Sequence, residues 1–201
     1  EQHYRLAPEG EAGEDDTPLP NLEPRKPVKS NLATIRKFLS QHPKAEQSLA
    51  RRFGRYVERA VFDEEGDNTD RARAGLYFSR WFRSRQPEWI EVLKKLWDKG
   101  LAVTDLPTEE DQVALLEVSH AAGVEADGIL SALDSRFAAV RDVALRYREH
   151  LDDRGRAELR RSLVNHATRY PQAALRLIED ELNSEQPAAE RWALLFASLT
   201  L

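Results

Sequence analysis

The chain has 201 residues, of which 41% are hydrophobic and 32% charged, and its net charge is -5. This apolar fraction is too high for a wholly disordered chain, and the length suits one domain of ordinary size or two very small ones. The sequence contains no cysteine, which excludes disulfide frameworks, zinc sites with thiolate ligands and cysteine nucleophiles.

Residues 1–29 predict an acidic, proline-rich leader that is disordered or extended. Five of the ten prolines lie in this segment, and its first 24 residues carry seven acids against one base, Arg5. A segment with so few bulky apolar residues cannot bury enough surface to offset the entropy lost on ordering. The leader is therefore either solvated or an acidic arm that docks on a basic face.

Residues 30–201 predict a single all-helical domain. If this domain has two parts, the boundary between them is expected near 100–107. Apolar residues recur at spacings of three and four, and we find no pattern typical of a strand. Ser30, Thr108 and either Asp152 or Asp153 are suited to N-caps, and Gly100 and Gly123 to helix ends. Prolines are expected in the first turn of four helices: Pro43, Pro87, Pro171 and Pro187.

These signals predict about ten helices joined mostly by short loops, which makes neighbouring helices antiparallel. Two arrangements fit, namely an irregular stack of helical hairpins similar to an α-solenoid, or a compact multi-helix bundle. Residues 134–151 resemble the second half of a HEAT-type repeat, in which an aspartate precedes a Val-Arg-x-x-Ala-Leu helix. The matching residues are Asp134, Val140, Arg141, Ala144 and Leu145. This resemblance implies the stacked arrangement and covers only that segment.

The sequence shows no signature of catalysis, and we expect no enzyme, no cofactor and no metal. Glycine loops for phosphate, HExxH, GxSxG and the dinucleotide fingerprint are all missing. The oxygen-rich loop 63–70 lacks the calcium-binding spacing, because Gly66 is not at the sixth position of the pattern. His150 with Asp152 and Asp153 lies where one helix gives way to the next, and there an aspartate is simply a good cap.

The strongest anomaly is an excess of positive charge between Arg25 and Phe62. This segment contains ten basic residues and only two acidic ones. Arg51, Arg55 and Arg59 recur every four residues and should share one helical stripe opposite Phe53. The candidate residues for binding a partner or phosphate are Arg36, Lys37, Arg51, Arg52, Arg55 and Arg59.

Like charges at this spacing cost a few tenths of a kcal/mol per pair, so we expect negative charge to lie against them. It would come from the chain itself (its acidic leader or an acidic helix surface), from an acidic partner protein, or from nucleic-acid phosphate. The prediction that nucleic-acid phosphate binds there gains some support from 71–85, where arginines alternate with aromatic residues. The same aromatics fall on one helical face, however, which is typical of a core.

The last segment, 188–201, contains six consecutive apolar residues. A helix there would be apolar nearly all round, so it is either buried or meets another molecule. The candidate interface residues are Trp192, Leu195, Phe196 and Leu199.

From these observations we expect a non-catalytic scaffold module for protein–protein interaction, a subunit of a larger assembly or a homo-oligomer. The alternative is an accessory protein that contacts nucleic-acid phosphates through the basic face of 25–62. No apolar run is long enough to span a bilayer and no signal-peptide pattern is visible, so we expect a cytoplasmic protein. A cleaved signal peptide would leave no trace in this sequence.

Overall fold

The computed structural model describes residues 18–22 and 28–182, except for the side chains of 179–182. Within this part the chain forms nine α-helices and three short 3-10 helices, and no β-strand, which confirms the all-α prediction. The predicted tenth helix, opened by Pro187, lies outside the described residues. So does most of the acidic leader.

The helices follow each other through short connections. The α-helices are α1 (Val28–Gln41), α2 (Glu46–Phe62), α3 (Asn68–Trp81), α4 (Gln86–Asp98), α5 (Glu109–Ala121), α6 (Glu125–Leu133), α7 (Ala138–Glu149), α8 (Asp153–His166) and α9 (Pro171–Leu182). The 3-10 helices are Pro43–Ala45, Arg83–Arg85 and Val103–Asp105. None of the helices in the described ranges is long and apolar enough to cross a membrane.

Two of the predicted N-caps are confirmed by their hydrogen bonds, whereas the prediction for Ser30 is wrong, because α1 begins at Val28 and Ser30 lies within its first turn. The Thr108 hydroxyl accepts the backbone N–H of Asp111 at 3.3 Å at the start of α5. The Asp152 carboxylate accepts the backbone N–H of Gly155 at 2.7 Å at the start of α8. Each side chain satisfies a donor that the first turn of a helix cannot pair with its own carbonyls.

The predicted glycine ends of α4 and α5 are also confirmed. Gly100 and Gly123 both have positive φ, 92° and 72°. After α4, the N–H of Gly100 bonds to the carbonyl of Trp97 at 2.8 Å and that of Leu101 bonds to Leu96 at 2.9 Å. An equivalent pair of bonds closes α5 around Gly123. Both are Schellman motifs, which need a left-handed residue that glycine adopts without strain.

The chain divides into two compact units, Glu1–Val92 and Leu93–Leu201, with the division inside α4. This lies before the 100–107 connection suggested by the sequence. The single domain predicted for 30–201 stays a prediction.

The first unit is organised by the antiparallel pair α2 and α3, which make the most extensive contact between two helices there. The start of α2 lies beside the end of α3, since the Glu46 carboxylate accepts a hydrogen bond from Trp81 Nε1 at 3.1 Å. The loop between them holds Asp67, whose carboxylate accepts the N–H of Thr69 at 2.9 Å and so caps α3. The core includes the fully buried side chains of Leu32, Ile35, Leu49, Phe78 and Trp89.

The second unit is built around α6, which contacts α5, α7, α8 and α9. Seven of its nine residues are buried, which places α6 at the centre of this unit. Directly after it, one carboxylate oxygen of Asp134 accepts the N–H groups of Gln172 at 3.0 Å and Ala173 at 3.2 Å. Asp134 therefore caps α9 from a distant part of the sequence.

Candidate docking face on helix α2

Helix α2 has a buried face and an exposed face that carries three arginines. Phe53 and Val57 are 4% and 0% exposed and pack in the core of the first unit. Arg51, Arg55 and Arg59 are exposed and lie opposite them, in the register that the sequence predicts. We call these three residues the arginine stripe.

The stripe places three arginines within a short distance along the helix. Eight residues of α-helix separate Arg51 from Arg59, which is about 12 Å along the axis. The exposed Gln47 lies one turn before the stripe and the exposed Asp63 one turn after it. The Asp63 carboxylate accepts the backbone N–H of Glu65 at 3.2 Å within the following loop. The stripe therefore contains three arginines. The neutral Gln47 lies before it and the carboxylate of Asp63 lies after it.

The other three basic candidates do not belong to this stripe. Arg52 is half-buried and places its guanidinium 5.3 Å from the ring centre of Phe53, a cation–π distance. Arg36, half-buried, and Lys37, exposed, lie on α1. The six residues proposed from the sequence therefore divide between two helices, and only Arg51, Arg55 and Arg59 share one exposed face.

Sequence reasoning missed a groove of about 580 Å³ at the carboxyl end of α2. Val28, the first residue of α1, forms part of its wall. The remaining lining comes from one stretch of α2 and the residue after it: Tyr56, Arg59, Ala60, Phe62 and Asp63. The last arginine of the stripe thus also lines the groove.

The groove combines apolar walls with one cation and one anion. Val28, Ala60 and Phe62 supply apolar surface, and Phe62 is 37% exposed, which is unusual for a phenylalanine beside a core. Arg59 and Asp63 supply the charges. Such a surface can accept an apolar side chain while the arginine holds a neighbouring carboxylate.

Two hydrogen bonds fix the residues around the groove. The Asn31 amide donates to the Tyr56 hydroxyl at 3.1 Å, which ties α1 to α2. Burial raises the pKa of Tyr56 above its ordinary value. The side chain of Asp70, at the start of α3, accepts the backbone N–H of Lys29, and burial raises the pKa of that carboxyl. Both bonds hold the first turn of α1 in place.

Several arginines of the aromatic and basic segment 71–85 are used inside the first unit. Arg71 is 6% exposed and its Nε donates to the carbonyl of Val61 at 3.2 Å. Arg80 pairs with Glu46 at 2.7 Å. Arg85 bonds to Glu58 and, at 2.7 Å, to Glu88, and the bond to Arg85 lowers the pKa of the Glu88 carboxyl.

The aromatic rings of this segment pack mainly on one another and on the core. Phe78 is fully buried and meets Phe62 edge-on at 5.5 Å between ring centres. Phe82 lies 5.2 Å from Phe78. Tyr77 and Trp81 are half-buried and lie 5.5 Å apart. The interpretation of these rings as core therefore holds for Phe78, while Tyr77, Trp81 and Phe82 occupy its edge.

Among the described residues, no group of three or more histidines and acids could hold a metal ion. The oxygen-rich loop 63–70 contains Asp67, which caps α3. Asp152 caps α8. The four candidate interface residues Trp192, Leu195, Phe196 and Leu199 lie outside the described part of the chain.

The second unit has a smaller hollow of about 310 Å³ between α7 and α8. Leu145 and Leu159 provide its apolar surface, and Arg148, Glu149 and Arg156 surround them. Arg156 Nε donates to the carbonyl of Leu151 at 3.1 Å, so this arginine also supports the turn before α8.

Comparison with protein families, with curated proteins and with solved structures finds no match for this chain. The similarity of 134–151 to a HEAT-type repeat therefore has no support beyond its own residues. In the structure, Asp134 caps α9 and Arg141 donates to the carbonyl of Ser135 at 2.6 Å.

Proposed function

We propose that this protein is a non-catalytic protein-binding module whose arginine stripe and adjoining groove bind an acidic segment of a partner protein. The observation that carries the proposal is the position of Arg59, which belongs to the exposed stripe and also lines the groove. A partner segment with carboxylates beside a bulky apolar residue would match both features at once.

Charge and apolar contact would have different roles in this complex. Arginines on an exposed face raise the rate of association and select partners of opposite charge, but each exposed ion pair contributes little to stability. Burial of an apolar side chain against Val28, Ala60 and Phe62 would supply the slower dissociation. The preferred partner is therefore acidic with an apolar anchor, rather than merely acidic.

Nucleic acid remains the alternative occupant of the same face. Two observations favour protein. Arg80 and Arg85, which sequence analysis linked with phosphate binding, pair with Glu46, Glu58 and Glu88. The net charge of -5 also gives the whole chain no general attraction for a polyanion.

The test is a fluorescence-anisotropy titration of the full chain with two labelled oligoglutamate peptides, one containing a central leucine and one without it. We expect both affinities to fall with added salt and the leucine peptide to bind more tightly. Arg55→Glu should weaken binding about tenfold, equivalent to about 1.4 kcal/mol. Arg154→Glu is the matched control, because Arg154 is exposed on α8 and its replacement changes the net charge equally.

Equal affinities for Arg55→Glu and Arg154→Glu would overturn the proposal, since the stripe would then have no special role. A labelled oligothymidylate that binds more tightly than both peptides, with a steep salt dependence that Arg55→Glu reduces, would favour the nucleic-acid alternative.

A further inference from the structure

The hollow in the second unit results from the way α7 and α8 pack. Both helices contact α6, but in the described structure they make little contact with each other. The space between them is about 310 Å³, which is near the lower end for pockets that bind small molecules. Leu145 on α7 is 37% exposed there, and Leu159 lines the hollow from α8. Both helices therefore offer apolar surface to a small ligand.

Opposite charges line the hollow without pairing with each other. Glu149 is exposed on α7 and Arg156 is exposed on α8. Within the described residues no ion pair joins them, and the Glu149 carboxylate makes no hydrogen bond. The side chain of Arg156 bonds through Nε to the carbonyl of Leu151, which leaves its two terminal NH2 groups as donors. The hollow thus holds an anion and a cation with space between them.

We propose that this hollow binds a free aliphatic α-amino acid. Arg156 holds the carboxylate of the ligand, Glu149 holds its ammonium group, and the two leucines contact its side chain. A zwitterion fits because it supplies one opposite charge to each helix. The site belongs to the second unit and goes beyond the proposed function, since it does not involve the arginine stripe.

The carboxylate end is recognised by α8. The two terminal NH2 groups of a guanidinium can donate in parallel to both oxygens of one carboxylate, which is the strongest form of this contact. Arg148 also lines the hollow, but it has interactions of its own within the protein. It therefore adds positive charge near the carboxylate, and the proposed contact does not depend on its donors.

The spacing of the lining residues matches the compact shape of an α-amino acid. Leu145 and Glu149 are four residues apart on α7, so they are neighbours on one helical face, with Cβ atoms about 5–6 Å apart. Arg156 and Leu159 are three residues apart on α8 and are neighbours in the same way. Each helix therefore presents one charge beside one leucine. An α-amino acid likewise carries both charges and its side chain close to a single carbon atom.

The test is a nuclear magnetic resonance titration of the full chain with leucine and with two analogues. Isocaproate keeps the carboxylate and the aliphatic chain but lacks the ammonium group, and isoamylamine lacks the carboxylate. We expect leucine to shift amide signals of α7 and α8 with a dissociation constant on the order of 1 mM. Both analogues should bind about tenfold more weakly.

Two variants assign the charged contacts. Glu149→Gln should weaken leucine binding about tenfold and leave isocaproate binding unchanged, so that the preference between these ligands disappears. Arg156→Gln should remove the preference for leucine over isoamylamine. Glu158→Gln and Arg154→Gln are the matched controls, because both residues are exposed on α8 and neither lines the hollow. Circular dichroism checks the fold of Arg156→Gln, which also loses the bond to Leu151.

Three results would overturn the inference. One is the absence of any saturable shift in α7 and α8 at leucine concentrations up to about 20 mM. Another is equal affinity for leucine and isocaproate, which would show that the ammonium group is not recognised. The last is an equal effect of Glu149→Gln and Glu158→Gln on leucine binding. None of these results bears on the arginine stripe, so the proposed function is tested separately.

Discussion

The indole ring of Trp89 lies directly against the backbone of Gly75. A Cβ added at Gly75 would be 2.5 Å from Cε3 of the ring and well inside van der Waals contact with two further ring carbons. Trp89 is fully buried, and in the described structure its Nε1 has no hydrogen-bond partner. The close approach of α3 to this ring therefore requires a residue without a side chain.

Gly75→Ala should lower the free energy of unfolding by about 1–3 kcal/mol through overpacking. This loss is expected even though alanine has a helix propensity about 1 kcal/mol better than that of glycine. Trp89→Phe removes the outer ring, so Gly75→Ala should cost much less in that background. Urea unfolding followed by circular dichroism measures both. Strictly additive losses would contradict the contact.

Trp81 is half-buried, so its removal should cost less than removal of a core tryptophan. We expect Trp81→Ala to lower the free energy of unfolding by less than about 3 kcal/mol. Trp81→Phe should cost about 1 kcal/mol, because it loses the hydrogen bond to Glu46. The loss of unfolding free energy caused by Trp81→Phe should disappear in a Glu46→Ala background. A double-mutant cycle measured by urea unfolding tests this. A loss of about 3–5 kcal/mol for Trp81→Ala would instead indicate a ring at the centre of the core.

Gly123 gives a purely conformational test, since in the described part of the chain no atom beyond its two neighbouring residues lies within 4 Å of a Cβ added there. Its φ of 72° is left-handed, so Gly123→Ala should cost about 1–2 kcal/mol by backbone strain alone. Gly123→Asn should cost less, because asparagine tolerates this conformation better. Thermal or urea unfolding compares the two variants, and equal losses would argue against backbone strain as the cause.

Tyr170 predicts a specific loss of stability in alkali. Burial raises its pKa from 10.0 to about 12, with smaller contributions from neighbouring charges that include Arg169 and Asp105. Between these values the unfolded chain releases the phenolic proton while the folded protein retains it, so stability falls as the pH rises through that range. Tyr170→Phe should show a shallower fall in urea-unfolding free energy across the same range. Identical slopes would show that Tyr170 titrates normally.

Local features of the helices could be predicted because neighbouring residues determine them. Thr108 and Asp152 are caps, and Gly100 and Gly123 end helices, for reasons contained within one turn of the chain. The exposed face of α2 could also be predicted from the sequence, because Arg51, Arg55 and Arg59 follow the helical repeat.

Features that depend on packing between helices could not be predicted in this way. The groove joins Val28 to Tyr56 and Phe62, which become neighbours only when α1 packs beside α2. Arg71 is buried although arginines usually remain exposed.

The cap that Asp134 provides for α9 links the start of that helix to the end of α6. Pro171 supplies no N–H of its own, and the next two amides of that helix find their acceptor 38 and 39 residues earlier in the chain. During synthesis the acceptor leaves the ribosome well before its donors, and the start of α9 can gain this cap only when the residue after α6 lies beside it. Slowed hydrogen exchange in α9 should therefore appear with, and never before, that of α6.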